Sequence, residues 1–285
     1  MKMSVIFKIS LLVSCFIFIF SSFTFAATNV DSLVDKYNFK VSADFRYLSY
    51  EEYDIGVELD GALYGVLGEF TYHGISNWDN HLMAGIDFEV LGGSLNYTGS
   101  TWGGTSLEED SDDFLIETRG LIGYDYSMDN TKIITPFTGI GYRYWNNNID
   151  GFGGYEREVQ YLYAPIGIKT VGSLGNNWKG GSTTEFDLFL GGKVKSHLSD
   201  VNSKYNDPEV KQDTFNGYGF RVSIYFTREF KDRGYSLSFK PYMRYWDINE
   251  SDKEPLIENG KLTGNYVVEP ENTTLSYGLR LSLSF

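Results

Sequence analysis

Apolar and polar residues alternate in ten segments of the chain, which is the period-two pattern of β-strands with one apolar face. The segments are residues 39–51, 62–73, 81–98, 113–127, 132–146, 157–171, 183–198, 215–229, 235–248 and 274–285. Segments of this kind, each about ten residues or longer and separated by turn residues, are typical of barrels that cross a membrane. The pattern therefore predicts an all-β fold, a transmembrane antiparallel up-and-down β-barrel of about ten strands, with about eight or twelve as alternatives.

The final segment has the clearest alternation. Its apolar face carries Tyr277, Leu279, Leu281, Leu283 and Phe285. A soluble protein rarely leaves such an apolar edge strand exposed, whereas a membrane barrel turns one face to lipid and the other to its lumen. We expect this strand to pair with residues 39–51 and to point Arg280 into the lumen.

The same five side chains resemble the C-terminal signal of bacterial outer-membrane β-barrels, which the assembly machinery recognises by its final aromatic residue. The resemblance implies that these residues are an assembly signal. It also implies that the partners are outer-membrane lipid, lipopolysaccharide and the outer-membrane assembly machinery.

The N-terminus predicts export. Lys2 and Lys8 form a positive region before a nearly continuous apolar run over residues 9–20, and small residues mixed with Phe follow from Ser21 to Ala27. This is the pattern of a secretory signal peptide, here residues 1–26, and it leaves residues 27–285 as one barrel domain. A membrane anchor and a lipoprotein signal ending at Cys15 are the alternatives. An even number of strands would put both termini in the periplasm.

Composition excludes several classes of function. The formal charge of −14 makes the chain a poor nucleic-acid binder, since phosphate contacts require positive charge. Cys15 is the only cysteine, so residues 27–285 have neither disulfides nor thiolate ligands. A mean hydropathy of −0.26 is compatible with a barrel, because only alternate residues face lipid. We expect no cofactor and no bound metal.

Charged residues fall on the inward face of the predicted strands. The candidate lumen charges are Asp44, Arg46, Glu117, Arg119, Arg143, Lys193, Lys195, Arg221, Lys240, Arg244 and Arg280. A barrel of about ten strands is only slightly wider than one that side chains fill, and charges buried there must pair. The set therefore predicts a lumen plugged by ion pairs. A narrow polar pore for small solutes is the alternative.

Two further groups of residues have simple structural explanations. Acidic runs at residues 108–113 and 247–258 contain the oxygen ligands that Ca²⁺ and Mg²⁺ use, but neither has the spacing of a defined calcium site, and solvated surface loops are the preferred explanation. Aromatic residues near the predicted strand ends suit the membrane interfaces. These are Trp102, Tyr144, Trp145, Tyr245 and Trp246.

An enzymatic alternative rests on His197. The omptin outer-membrane proteases are also ten-stranded, and they pair two acids from one surface loop with an Asp/His couple from another. Here Asp110, Asp112 and Asp113 would face His197 and Asp200. The spacing departs from the omptin pattern, because the omptin acid precedes its His by two residues whereas Asp200 follows His197 by three. We expect a protein that is not an enzyme.

Three stretches resemble small porin-like outer-membrane barrel proteins of Gram-negative bacteria. They are residues 139–145, 240–247 and 269–274. The resemblance implies the architecture and the compartment but no activity. The sequence thus predicts a monomeric barrel with a role in envelope structure or surface interaction, with a small-solute pore and an omptin-like surface hydrolase as alternatives.

Overall fold

The computed structural model describes residues 32–53, 55–77, 80–100, 104–128 and 131–285. The predicted signal peptide lies outside these residues. No helix within them has the length and hydrophobicity needed to cross a membrane. The strands are β1 (Tyr37–Glu52), β2 (Val57–His73), β3 (Leu82–Ser100), β4 (Ser106–Tyr124), β5 (Tyr126–Met128), β6 (Lys132–Ile149), β7 (Glu156–Gly175), β8 (Trp178–Ser196), β9 (Glu209–Gln212), β10 (Gly217–Phe230), β11 (Tyr235–Ile248), β12 (Glu254–Glu258), β13 (Lys261–Val267) and β14 (Asn272–Ser284).

Ten antiparallel strands close into one barrel. Their order is β1–β2–β3–β4–β6–β7–β8–β10–β11–β14, and β14 pairs with β1. β5 follows β4 after Asp125 and pairs with β6, β9 pairs with one end of β8, and β12–β13 form a separate hairpin. The predicted all-β barrel of ten strands is confirmed.

The seam of the barrel joins the first and last strands. In the β1–β14 pairing, Lys40 lies opposite Ser284 and Glu51 lies opposite Thr273. Arg280 lies opposite Asp44, and its Nε donates a hydrogen bond to Asp44 Oδ2 over 2.5 Å. The expected closure, with Arg280 pointing inward, is confirmed.

The two ends of the barrel differ in their connections. The end that carries Tyr37 and Phe285 has mostly short turns, and we call it the turn end; the opposite end, which carries the connections 197–216 and 249–271, is the loop end. Strands continue further toward the loop end than the sequence predicts. The predicted segments end at residue 98, begin again at 113 and end at 146, but β3 reaches Ser100, β4 begins at Ser106 and β6 reaches Ile149.

The outer face changes character between the two ends. A belt of exposed apolar side chains surrounds the barrel from the turn end upward, as membrane insertion requires. It includes Phe45, Tyr64, Val66, Ile86, Phe88, Ile122, Ile140, Ile166, Phe186, Phe239 and Leu281. Above the belt the outward positions become polar, for example at Asp60, Asp112 and Gln160. The strands therefore stay paired beyond the apolar belt, where their outward side chains are no longer apolar.

The prediction that Lys193 and Lys195 face the lumen is wrong. The β7–β8 register shifts by one residue, since Leu162 pairs with Gly191 whereas Tyr163 pairs with Phe189. This bulge reverses the two faces of β8 beyond it. Lys193 consequently points outward, where its Nζ lies 2.9 Å from Glu209 Oε2, and Lys195 lies on the same outer face.

Candidate functional site

Charged side chains from β1, β3, β11 and β14 meet in the middle of the lumen around Glu89. Arg46 donates to Glu89 Oε1, while Arg244 and Arg280 reach Glu89 Oε2 at 2.9 and 2.5 Å. Glu89 is only 2% exposed. One buried carboxylate is thus surrounded by three guanidinium groups, and Asp44 supplies the second acid of this cluster through Arg280.

A second cluster forms around Arg221 on β10. Its Nε donates to Asp187 Oδ2 over 2.5 Å, and its Nη1 donates to Glu117. Arg119 lies beside it, with Nη1 2.9 Å from Glu185 Oε1. Arg244 Nη1 lies 3.5 Å from Glu117 Oε2 and so joins the two clusters. We call the joined group the arginine network; it comprises Asp44, Arg46, Asp87, Glu89, Glu117, Arg119, Glu185, Asp187, Arg221, Arg244 and Arg280.

The structure places nine of the eleven candidate lumen charges inside the barrel. Arg143 is not part of the arginine network; its guanidinium lies 5.3 Å from the Trp145 ring centre and 5.8 Å from that of Tyr161. Lys240 lines a cavity at the turn end. The sequence indicated which residues face inward, but the pairing of particular acids and bases depends on strands far apart in the chain.

An apolar core fills the lumen on the loop side of the arginine network. Trp145 and Trp246 are 1% and 2% exposed there, which corrects the expectation that they lie at the membrane interface. The Trp246 ring contacts the rings of Tyr161 and Tyr163, with centres 5.7 and 5.2 Å apart. Trp102 lies outside the described residues. Apart from these rings the core consists mainly of aliphatic side chains; they include Leu48, Val57, Leu59, Leu63, Leu91, Leu95, Leu115, Val159, Val194, Val210 and Ile248.

Arg157 links the loop side of this apolar core to the longest connection, residues 249–271. It comes from β7 and forms ion pairs with Glu52, at 3.4 Å, and with Glu269 of the segment before β14. Glu269 also holds its own segment in place, because its backbone exchanges hydrogen bonds with Ser251. Burial, reinforced by the neighbouring Glu52 carboxylate, raises the pKa of Glu269 to about 7. These contacts tie the loop between β11 and β14 to opposite walls of the barrel.

The omptin-like arrangement is not assembled. Asp112 pairs with Asn148, Asn148 pairs with Glu156, and Glu156 accepts a backbone hydrogen bond from His197. Asp112 and His197 are therefore three strand spacings apart along the convex outer wall, or about 14 Å at about 4.8 Å for each spacing. Asp110 lies two residues further along β4 on the same outer face.

The side chain of His197 has other carboxylate partners. Its Nε2 lies 2.8 Å from Glu158 Oε1 and its Nδ1 lies 3.8 Å from Asp207 Oδ2. Glu156, Glu158 and His197 form a group in which one side-chain oxygen or nitrogen from each residue lies within 4.8 Å of the other two. Asp200 instead accepts a hydrogen bond from the backbone N–H of Glu156. The contacts of His197 thus form an ion-pair cluster on the outer wall, not the predicted couple with Asp200.

Comparison with known proteins supports the fold. No family model and no curated protein matches the chain. Among solved structures, the outer membrane protease OmpT from Escherichia coli is similar with a TM-score of 0.60 and 10% identity, covering 93% of this chain and 98% of that one. A major outer membrane protein from Thermus thermophilus aligns with a TM-score of 0.37 and 11% identity, over 87% and 100% of the two chains. The chain has the fold of an outer-membrane β-barrel.

The loop end of this outer-membrane β-barrel carries a protruding hairpin, β12–β13. On β13, Leu262 and Tyr266 are 73% and 66% exposed. The hairpin is fixed from one side, because Ile257 accepts a hydrogen bond from the Asn206 N–H over 3.1 Å and Asn259 donates one to Lys204 over 2.9 Å. Apolar side chains are therefore presented to solvent on an anchored segment.

The acidic run at residues 108–113 is part of β4 and not of a loop. Asp113 points inward and accepts a hydrogen bond from Trp145 Nε1 over 2.7 Å, whereas Glu108, Asp110 and Asp112 point outward. The run is thus divided between the apolar core and the outer wall.

Proposed function

We propose that the protein is a monomeric, non-conducting barrel of the bacterial outer membrane that presents an interaction surface to the cell exterior. In this orientation the turn end and both termini are periplasmic, as the mostly short turns favour. The loop end, with its polar outer wall and the β12–β13 hairpin, projects from the cell.

The buried interior is the observation that carries this proposal. A passage for solutes requires hydrated side chains along the whole lumen. Here the arginine network and the apolar core occupy successive levels, and key side chains at both levels have almost no solvent exposure: Arg280 is 3% exposed and Leu95 is 0% exposed. The interior therefore favours a closed barrel over the small-solute pore.

Exposed apolar side chains at the loop end support a surface interaction. Leu262 and Tyr266 share one face of β13, and Phe152 is 95% exposed at the tip of the connection before β7. Apolar side chains that are fixed in solvent are typical of contact surfaces. The inward-facing charges nearly balance, with six acids against five arginines in the arginine network, so most of the net charge of −14 lies on the outer surfaces and favours a cationic partner.

Conductance in a planar bilayer tests the closed lumen. The folded protein, verified by heat-modifiable gel mobility, should show no single-channel steps, because ion passage would require displacing both the arginine network and the apolar core. A general porin reconstituted in the same membrane serves as the positive control. Reproducible steps from the wild-type protein would establish the pore alternative instead.

Adhesion of intact cells tests the surface. Cells that display the protein should bind to polystyrene, and the double variant L262S/Y266S should reduce binding to the level of cells without the protein, because it removes the apolar face of β13. The variant K261S/N265S changes the opposite face of the same strand and is the matched control. Equal adhesion of all three proteins would reject a role for this face.

A further inference from the structure

A cavity of about 170 Å³ opens at the turn end of the lumen. Its lining includes Leu33 and Val34, which precede β1, and Leu33 packs against Ile75 and Ile133 at this end of the barrel. The volume equals that of several water molecules at about 30 Å³ each. The cavity is therefore large enough for a small hydrated solute.

Positive charge dominates the inner wall of this cavity. Lys40, Lys169 and Lys240 all line it, and all three lie within electrostatic range of the Glu69 carboxylate; Asp35 is a second acid in the lining. Lys40 Nζ is 3.8 Å from Glu69 Oε2. A further lysine at the rim, Lys179, has its own ion pair with Glu229.

Two of these lysines lack a close carboxylate. Within the described residues, neither Lys169 nor Lys240 has a carboxylate oxygen within 4.0 Å. Lys169 Nζ instead lies 5.1 Å from the ring centre of Phe137. With Lys179 and Glu229 paired, three lysines face two carboxylates, those of Glu69 and Asp35, so the lining carries one positive charge in excess in a space walled by protein, where a charge without a counterion is unfavourable.

Neutral hydrogen-bonding groups complete the lining. They are mainly hydroxyl groups from strands around the barrel, among them those of Thr71, Thr183, Ser236 and Ser284. The hydroxyls of Thr135 and Tyr225 also line the cavity but already donate to Asp125 and to the Thr170 carbonyl. A hydroxyl group can both donate and accept a hydrogen bond, so it can donate one to an anion. Lysines combined with hydroxyls are a composition suited to a tetrahedral oxyanion, for which lysine acts as a point charge.

We propose that the turn-end cavity binds one small oxyanion of the phosphate class, held by Lys169 and Lys240. The hydroxyl groups donate hydrogen bonds to its remaining oxygens, and Glu69 limits the affinity by competing for the same lysines. The site is reached from the turn end and does not depend on the surface role proposed above.

Titration with inorganic phosphate tests the site. The refolded protein is studied by isothermal titration calorimetry in a phosphate-free buffer and a maltoside detergent, since phosphocholine detergents would compete. The wild-type protein should bind one phosphate. K169Q and K240Q should each weaken binding about tenfold or more, the scale of a hydrogen bond to a charged group.

The variant E69Q gives a result of opposite sign. Removing the competing carboxylate should tighten phosphate binding several-fold, which a merely structural effect would not do. K253Q alters a lysine that is 62% exposed at the loop end, and it should bind like the wild type. Heat-modifiable mobility confirms that each variant is folded.

Three outcomes would overturn the proposal: no saturable binding to the wild-type protein, wild-type affinity in both K169Q and K240Q, or weaker binding in folded E69Q. A parallel titration with glycerol phosphate identifies the source. Tighter binding than inorganic phosphate assigns the site to a phosphorylated small molecule, and weaker binding assigns it to the free anion; either supports an oxyanion site.

Discussion

Replacing Glu89 by glutamine is expected to lower the free energy of unfolding by about 3–5 kcal/mol, the loss found when one partner of a buried ion pair is removed. Glu89 is the shared acceptor of Arg46, Arg244 and Arg280. Glutamine keeps the shape but leaves these arginines with less negative charge. Unfolding in guanidinium, followed by tryptophan fluorescence in detergent, measures the change.

A surface variant provides the control for E89Q. Glu250 is 56% exposed and lies 3.8 Å from Lys253. Exposed pairs contribute about 0–1 kcal/mol, so E250Q should remain close to the wild type. The double variant E89Q/R46M should lose less free energy of unfolding than the two single variants lose in sum, because each substitution removes a group that the other leaves without its partner. A loss for E89Q no larger than for E250Q would show that the network does not stabilise the barrel.

Replacing Arg157 by methionine is expected to destabilise the loop end by about 3–5 kcal/mol at pH 8, again because buried charges lose their partner. Arg157 is the cation between Glu52 and Glu269, both 5% exposed. Without it, two carboxylates face each other in the apolar core. Loss of the Ser251–Glu269 contacts should follow, and hydrogen exchange at these backbone amides measures it.

The effect of R157M should depend on pH in a defined direction. The pKa of Glu269 in the folded protein, about 7, lies above its ordinary value of 4.5 because of burial. Such a group contributes stability at low pH, and this contribution is lost as the pH rises through about 7. The loss caused by R157M should therefore be larger at pH 8 than at pH 5.

Glutamine at position 269 tests whether this carboxyl causes the pH dependence. In R157M/E269Q, the difference in stability between pH 5 and pH 8 should shrink, since the group that titrates has been removed. If R157M behaves alike at both pH values, charge repulsion between Glu52 and Glu269 is not the reason for its instability.

The alternation of residues was a reliable guide where each face of a strand meets a different environment. Phe45 points to the apolar belt and Arg46 to the lumen, as the sequence predicts. The same rule placed Leu281 outside and Arg280 inside. It holds because reversing one strand would bury apolar groups among charges and expose arginine to lipid.

Irregular backbone limited the prediction. The pair Gly92–Gly93 is a sequence at which a bulge is expected, but β3 and β4 keep one register through it. The bulge occurs beside Gly191, whose φ is +147°, a value that glycine adopts without strain. Two similar glycine pairs thus behave differently, because the neighbouring strands, and not the local sequence, determine where a residue is extruded.

The candidate sites were harder to predict than the fold. Tyr144 and Trp145 are adjacent aromatics near a predicted strand end, yet only Trp145 is buried in the apolar core. The strands continue beyond the apolar belt, so proximity to a strand end did not indicate the membrane interface. The partners of His197 likewise come from β7 and from the loop after β8, at positions that spacing along the chain does not indicate.

The seam between β1 and β14 has a consequence for biogenesis. Arg280 contacts Asp44 and Glu89, and Ser42 donates a hydrogen bond to Ser282, 240 residues later in the chain. The residues synthesised first therefore lack these partners until the last strand has been synthesised. Pairings of such separation form slowly. A nascent chain that lacks its last strand leaves both acids without that arginine. The ion pairs of the lumen are therefore complete only after the last strand has been synthesised and has closed the barrel against β1.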